Sequence, residues 1–137
     1  MRDSELVGLW SSDARYGPGA QSDDWLIFKP DGFGWYEFLN WMLCSAELFQ
    51  WETPQLGVLR VIGERHLQIS DDLRSLEEEP SLFGTQEFPY QIAEEDTPSG
   101  KRMRVLRLPL KIPMRDCFGF ARRDLSGLEE PKFKLER

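Results

Sequence analysis

The residues whose types could support catalysis are few in this chain of 137 residues. His66 is the single histidine, and a Ser-His-Asp or Cys-His pair would depend on it, yet no nucleophile motif surrounds it. We expect His66 to be a solvated turn residue. A zinc site needs three or four His, Cys or acidic ligands in a fixed geometry, and the spacing of Cys44, His66 and Cys117 does not indicate one. The sequence therefore predicts a protein that is not an enzyme and holds no metal or cofactor.

The two cysteines and the start of the chain bear on the compartment. Cys44 and Cys117 are typical of small, half-buried strand residues in a reducing environment, and a disulfide between them stays open if their strands are adjacent. The first ten residues lack the charged stretch and apolar run of a signal peptide. The apolar stretches are shorter than the about 20 residues that span a bilayer. We expect a cytoplasmic protein outside the membrane.

The charge of the chain bears on its partners. The formal net charge is −7 and the pI is about 4.8. Nucleic acid is a poor partner for such a chain, because duplex-binding domains carry a basic patch and a high pI. Three acidic clusters fall in predicted loops, where we expect solvated surface, and they lack the ligand pattern of an EF-hand. The clusters are Asp71-Asp72, Glu77-Glu78-Glu79 and Glu94-Glu95-Asp96.

Short apolar runs separated by turn signals indicate β-structure in the first half of the chain. Residues 29–32, Lys-Pro-Asp-Gly, lie between two apolar runs and predict a hairpin, with Gly32 in the left-handed conformation. The segment 43–52 predicts a strand, although a short helix remains an alternative. A second hairpin is predicted with strands at 56–62 and 67–70 and its turn at residues 63–66.

The second half of the chain continues the pattern after one interruption. A single helical turn is predicted within 71–84. Apolar residues then alternate at 85–96, 101–110 and 117–123. The whole pattern predicts an all-β, antiparallel up-and-down barrel of eight or nine strands, since closure removes exposed sheet edges. We expect one domain over residues 1–123 and a polar C-terminal tail over 124–137.

The order of the motifs resembles the calycin superfamily, and more closely the small bacterial lipocalin-like barrels. The resemblance is carried by Gly8-x-Trp10, by Phe28-x-Pro-Asp-Gly, by Trp51 and by the aromatic final strand at 117–120. It implies that Trp10 closes one end of the barrel, that Gly8 leaves room for a neighbouring strand, and that Arg122 or Arg123 packs across the tryptophan ring. The Arg-x-Tyr clamp of fatty-acid-binding proteins is missing. Some barrels of this type bind haem through one histidine, which leaves His66 as an alternative haem ligand.

The strand predicted at 33–41 is apolar on both faces, so one face lines the barrel and something covers the other. The candidates for the cover are the loop 11–24, the segment 71–84 and a second subunit. We expect an aromatic barrel lining with one arginine. The predicted lining residues are Phe28, Trp35, Tyr36, Phe38, Tyr90 and Arg107. Arg107 faces solvent if Leu106 and Leu108 point inward; if they point outward, it would hold an anion inside.

The expected function is non-enzymatic binding of a small hydrophobic or amphipathic ligand in this aromatic-lined barrel. The alternative is a protein-interaction module that binds or inhibits a partner protein through its acidic surface and an apolar patch. The chain is expected to be a monomer or a homodimer.

Overall fold

The computed structural model describes residues 2–11, 22–40, 44–69, 76–108 and 117–125. These ranges hold ten strands and no helix. The strands are β1 (Gly8–Ser11), β2 (Ser22–Phe28), β3 (Phe33–Asn40), β4 (Cys44–Gln55), β5 (Val58–Ile69), β6 (Leu76–Pro80), β7 (Thr85–Pro89), β8 (Gln91–Asp96), β9 (Arg102–Arg107) and β10 (Cys117–Arg122).

The strands form one antiparallel sheet in the order β6-β5-β4-β3-β2-β1-β10-β9-β8, and β7 also pairs with β5. The all-β, antiparallel up-and-down fold is therefore confirmed, with ten strands in place of eight or nine. Among the described residues the hydrogen-bonded sheet is not closed into a barrel. The sheet curls instead. β7 pairs with β5 and β8 pairs with β9, and Tyr90 alone separates β7 from β8, so the connection brings the two sides of the sheet towards each other.

The predicted hairpin at residues 29–32 is confirmed between β2 and β3. The amide of Gly32 donates to the Lys29 carbonyl over 3.1 Å, and Gly32 has a φ of 94°. Asp31 Oδ1 accepts a hydrogen bond from the Phe33 amide over 2.9 Å, which fixes the start of the return strand. The turn thus has the chemistry that its sequence predicts.

The second predicted hairpin is wrong, because residues 58–69 form one continuous strand, β5. The turn lies earlier, at Leu56 and Gly57, and β4 and β5 are its two arms. Gly63 is required for close approach rather than for a turn: a Cβ there would lie 2.0 Å from Ser81 Oγ. Its amide donates to the Gly84 carbonyl over 2.7 Å.

A β-bulge interrupts the ladder between β4 and β5. Leu48 pairs with Arg65 and Phe49 pairs with Gly63, so Glu64 is an extra residue on β5. A bulge moves the inside-outside alternation of a strand by one position. Because of this shift, His66 rather than Arg65 shares a face with Val61 and Gly63. His66 is therefore not the turn residue that the sequence predicted.

The predicted helical turn within 71–84 is wrong in its described part. Residues 76–80 form β6, which pairs with β5 from Arg65↔Pro80 to Ile69↔Leu76. Two different strands, β6 and β7, thus pair with the two ends of β5. Residues 71–75 lie outside the described part of the chain.

The sheet buries an apolar cluster on each face. The inner cluster draws on β1–β5, β7, β9 and β10 and contains rings that touch one another, such as Phe28 and Trp51 at 5.2 Å between centroids. The outer cluster lies on the other face of β1–β5. Its buried members are Leu9, Ile27, Trp35, Ala46, Leu48 and Leu67. Leu125, in the predicted tail, packs against the outer cluster, so part of that tail belongs to the packed domain.

Candidate functional site

Three polar side chains lie in a row across the inner face of the sheet. Tyr36 on β3 pairs with Glu47 on β4, and Glu47 pairs with His66 on β5. Directly paired residues on neighbouring strands project from the same face within about 5 Å of each other. The alternation of β4 places Glu47 on the side of Phe49 and Trp51, and the bulge at Glu64 brings His66 to the same side.

Glu47 is a buried carboxylate that accepts hydrogen bonds from three neighbouring groups. Oε1 lies 2.8 Å from His66 Nδ1 and accepts from the Leu82 amide over 3.0 Å. Oε2 accepts from Ser81 Oγ over 2.8 Å. The side chains of Glu47 and His66 are 5% and 12% exposed, respectively. A buried carboxylate is stable in this position because each oxygen has a partner.

Glu47 also fastens the loop between β6 and β7 to the sheet. It binds Ser81 and Leu82, and Ser81 Oγ in turn accepts from the Phe83 amide over 3.0 Å. The Phe83 ring is thereby held over the sheet, stacked on Phe49 at 6.2 Å with 18° between the planes.

Tyr36 connects the polar row to the aromatic core. Its hydroxyl donates to Asp24 Oδ2 on β2, and its ring contacts Phe83 and Phe118 at 6.5 and 6.2 Å between centroids. Asp24 and Tyr36 are 3% and 4% exposed. The phenol is therefore a buried, hydrogen-bonded group at the boundary between the polar row and the apolar cluster.

These side chains surround a pocket of about 200 Å³. The lining residues are Tyr36, Phe38, Ser45, Glu47, His66, Leu82 and Phe83. Aromatic rings and Leu82 form the apolar part of the lining, and its polar residues are Ser45, Glu47 and His66. Leu82 is 52% exposed, which places it at the rim.

The structure brings four of the six predicted lining residues to the inner cluster. Phe28 and Tyr36 are buried in it, and Phe38 and Tyr90 pack against it from its edge. Tyr36 and Phe38 line the pocket, whereas Phe28 packs on Phe49 and Trp51 in the core. The two remaining residues, Trp35 and Arg107, lie elsewhere.

Trp35 is fully buried in the outer cluster, on the opposite face of β3 from Tyr36. Its Nε1 donates to Glu37 Oε1 over 3.0 Å. Arg107 is exposed and donates two hydrogen bonds to the Glu95 carboxylate, at 2.9 and 2.6 Å. Its neighbours Leu106 and Leu108 are in the inner cluster, so Arg107 faces outward. Of the two orientations that the sequence left open for Arg107, the structure has the solvent-facing one.

Trp10 is fully buried in the inner cluster, with Nε1 donating to the Leu6 carbonyl over 2.9 Å. Among the described residues, the cation over its ring is Arg104 of β9, at 5.9 Å from the centroid, and neither Arg122 nor Arg123. Arg123 instead lies 5.6 Å from the Phe120 ring and donates to the Ser4 carbonyl over 2.6 Å. Arg122 is exposed, and its backbone pairs with Leu9.

Gly8 leaves room for a neighbouring strand, as the resemblance implied. Its φ is 142°, and a Cβ would lie 2.8 Å from the Arg122 carbonyl oxygen. Strands β4 and β10, which begin at Cys44 and Cys117, have three strands between them in the sheet. The two cysteine side chains lie outside the described part of the chain.

Sequence reasoning missed Ser45, Glu47, Leu82 and Phe83 of the pocket lining. The alternation of Ser45, Glu47, Phe49 and Trp51 on β4 carries the signal for the first two, because residues two apart share a face of a strand. A glutamate in register with two buried aromatic residues indicates a buried carboxylate. The partners of Glu47 are 19 to 35 positions away along the chain and have no local signal.

A second, more open groove of about 340 Å³ lies at the junction of β7 and β8. Its lining residues are Asp3, Glu5, Leu56, Gly57, Tyr90, Gln91 and Ile92. Burial, followed by the hydrogen bond to the Asp3 carboxylate, raises the pKa of Tyr90 to about 12. Leu56 is 77% exposed beside this groove.

Comparison with protein-family models, with curated proteins and with solved structures finds no match for this chain. In the ranges that the structure covers, no group of three or more His, Cys, Asp or Glu side chains is placed to hold a metal ion. Within those same ranges, no helix has the length and apolar character needed to cross a membrane. The pocket beside His66, at about 200 Å³, is smaller than the about 300–1,000 Å³ that is typical of pockets for drug-sized ligands.

Proposed function

We propose that the protein is a non-enzymatic binding protein that holds a small amphipathic molecule in the pocket beside His66. The observation that carries the proposal is the pocket itself, in which aromatic side chains face a hydrogen-bonded Glu47–His66 pair. Binding sites for small molecules are typically concave and mainly apolar, with a few placed polar groups.

The volume of the pocket limits the ligand to about one ring. A cavity of about 150 Å³ holds benzene, whereas drug-sized ligands occupy about 300–1,000 Å³. The pocket of about 200 Å³ therefore suits a substituted six-membered ring. A long acyl chain is too large for it.

The hydrogen bonds of Ser81 and His66 differ from those of the catalytic pair in a nucleophilic hydrolase. In a nucleophilic hydrolase the serine hydroxyl is hydrogen-bonded to the histidine that takes its proton. Here Ser81 Oγ donates to Glu47 Oε2, and the histidine contacts the other carboxylate oxygen. Among the described residues, this serine and this histidine thus do not form a nucleophile-base pair.

Isothermal titration calorimetry with 4-methylphenol tests the proposal. We expect a dissociation constant of about 1 mM or below, which corresponds to about 4 kcal/mol for a ligand of this size. Ser45→Leu fills the pocket and should abolish the heat of binding. Leu56→Ser, in the second groove, is the matched control and should bind like the wild type.

The proposal fails if the wild-type protein gives no heat with one-ring amphipathic compounds at millimolar concentration. It also fails if Ser45→Leu, shown by circular dichroism to be folded, binds as well as the wild type.

The alternative function is docking of a partner protein at the second groove. Its supporting observation is the 77% exposed Leu56 beside Asp3 and Glu5 in a chain of net charge −7, which suits a basic segment with an apolar side chain. A Lys- and Leu-rich model peptide should bind the wild type and lose most of its affinity for Leu56→Ser. Equal affinity for both proteins would remove this candidate.

For either function we propose a cytoplasmic location, because the two cysteines are typical of a reducing environment.

A further inference from the structure

We infer that the polar end of the ligand is a neutral hydroxyl group, which donates a hydrogen bond to Nε2 of His66. The inference rests on the proposed function and names the chemical class of its ligand: a one-ring phenol or alcohol. Four features of the pocket carry it, namely the tautomer of His66, the fixed position of its ring, the charge of the lining and the aromatic rings of the lining.

The hydrogen bonds of Glu47 determine the tautomer of His66. A carboxylate accepts hydrogen bonds and does not donate them. Oε1 already accepts from the Leu82 amide, which is a donor only, and Oε2 accepts from Ser81 Oγ. Nδ1 of His66 is therefore the protonated ring nitrogen that donates to Oε1. In a neutral imidazole of this tautomer, Nε2 is an acceptor.

The imidazole is held in place before a ligand arrives. Its partner Glu47 has a 5% exposed side chain and is itself tied to Ser81 and Leu82. A carboxylate behind a histidine fixes both the tautomer and the orientation of the ring. The acceptor is therefore already ordered in the folded protein. A hydrogen bond from the ligand then loses less conformational entropy, which favours binding.

The lining disfavours a charged ligand. Its seven residues include no lysine or arginine, and its one carboxylate is negative. An anionic head group would lose its hydration without gaining a cation. An ammonium group would have to compete for Glu47 with the three donors already bound to it. A hydroxyl group needs one acceptor, which Nε2 provides.

Aromatic rings make up much of the apolar lining. Phe38 packs at the edge of the inner cluster, and the Phe83 ring is fixed by its stack on Phe49. Ring faces and edges pair favourably with an aromatic ligand in offset or edge-to-face arrangements. The pocket therefore combines a site for one ring with one hydrogen-bond acceptor.

The experiment compares 4-methylphenol with 1,4-dimethylbenzene, in which a methyl group replaces the hydroxyl at nearly the same volume. In an apolar pocket without an acceptor the dimethyl compound would bind more tightly, because it is the more hydrophobic of the two. We expect the wild type to bind 4-methylphenol about tenfold more tightly, a net difference of about 1.4 kcal/mol that requires a hydrogen bond to the hydroxyl group. His66→Phe should lose this preference while still binding the dimethyl compound.

A spectroscopic measurement keeps the test independent of the variant's folding. With 15N-labelled histidine, we expect the Nε2 resonance of wild-type His66 to shift when 4-methylphenol is added, and to shift far less with 1,4-dimethylbenzene. A role of His66 in folding alone would not produce this difference.

Each outcome is informative. If 4-methylphenol binds the wild type no more tightly than the dimethyl compound, the hydroxyl inference is wrong, and the proposed function stands as long as 4-methylphenol binds. If neither compound binds, the proposed function fails and the inference fails with it. A tenfold preference that His66→Phe retains would place the acceptor elsewhere and would overturn the role of His66.

Discussion

Glu47 joins three parts of the molecule that are distant in sequence: the imidazole of β5, the hydroxyl of Ser81 and the amide of Leu82. Its position on the inner face follows from the alternation of β4, which a reader of the sequence can derive. The identity of its partners does not follow from the sequence. It depends on the bulge at Glu64, since without that extra residue Arg65 would face the interior in place of His66.

Replacing Glu47 with alanine should destabilise the fold by about 1–3 kcal/mol or more, because three donors lose a buried charged acceptor. The matched control is Glu78→Ala, whose pair with Arg65 is half-exposed and worth about 0–1 kcal/mol. Urea denaturation of the two variants measures both free energies. A loss of less than 0.5 kcal/mol (about the error of such a comparison) for Glu47→Ala would contradict the network described above.

Tyr90 should ionise late in an alkaline titration, since burial and the Asp3 carboxylate raise its pKa from 10.0 to about 12. The pKa in the folded state is above that of the unfolded state, so the stabilisation is complete below about pH 10 and is lost as the pH rises towards 12. Phenolate absorbance of the wild type minus that of Tyr90→Phe isolates this group. A difference curve centred near pH 10 would contradict the buried, hydrogen-bonded state.

At the scale of the strands, the predictable parts are those whose chemistry is local. The turn at Lys29–Gly32 is encoded in four adjacent residues and forms as predicted. Residues 63–66 resemble a turn for the same local reasons, yet they lie within β5, because Gly63 is needed for the close approach of Ser81 and Gly84. The sequence neighbours of a glycine do not show whether it serves a turn or a close approach between chain segments. The kinship with calycins that the early motifs imply stays a prediction.

Gly8→Ala should be more destabilising than Gly57→Ala by about 1–3 kcal/mol. Both glycines have positive φ, at 142° and 87°, so both variants incur backbone strain. Only at Gly8 would the added Cβ also meet a neighbouring strand, at 2.8 Å from the Arg122 carbonyl oxygen, whereas nothing lies within 4 Å at Gly57. The midpoints of thermal unfolding of the two variants measure this difference. Equal midpoints would show that β10 moves to accommodate the added Cβ without destabilising the fold.

The described part of the molecule is a curled sheet with an apolar cluster on each face, and the pocket lies on the inner face. The sequence of β3 already indicates two apolar faces, and the structure assigns Tyr36 and Phe38 to the inner one and Trp35 to the outer one. Which face encloses the pocket could not be derived from β3 alone, because both faces of that strand carry aromatic side chains. The assignment depends on the curl of the complete sheet.

The two faces should respond separately to substitution. Trp35→Phe removes the hydrogen bond to buried Glu37 and should cost about 1–3 kcal/mol of stability with unchanged ligand affinity. Phe38→Ala, in the pocket wall, should lower the affinity for 4-methylphenol about tenfold. Denaturation and calorimetry on both variants test this separation. A loss of affinity in Trp35→Phe that matches that of Phe38→Ala would contradict it.

The most direct test of the central claim is a map of where a one-ring phenol binds. Side-chain resonances of the labelled protein are recorded by NMR while 4-methylphenol is added. We expect the largest shifts at Phe38, His66 and Phe83, with Leu56 and Ile92 of the second groove unchanged. Shifts confined to the second groove, or no shifts at millimolar ligand, would contradict the claim that the pocket beside His66 is the binding site.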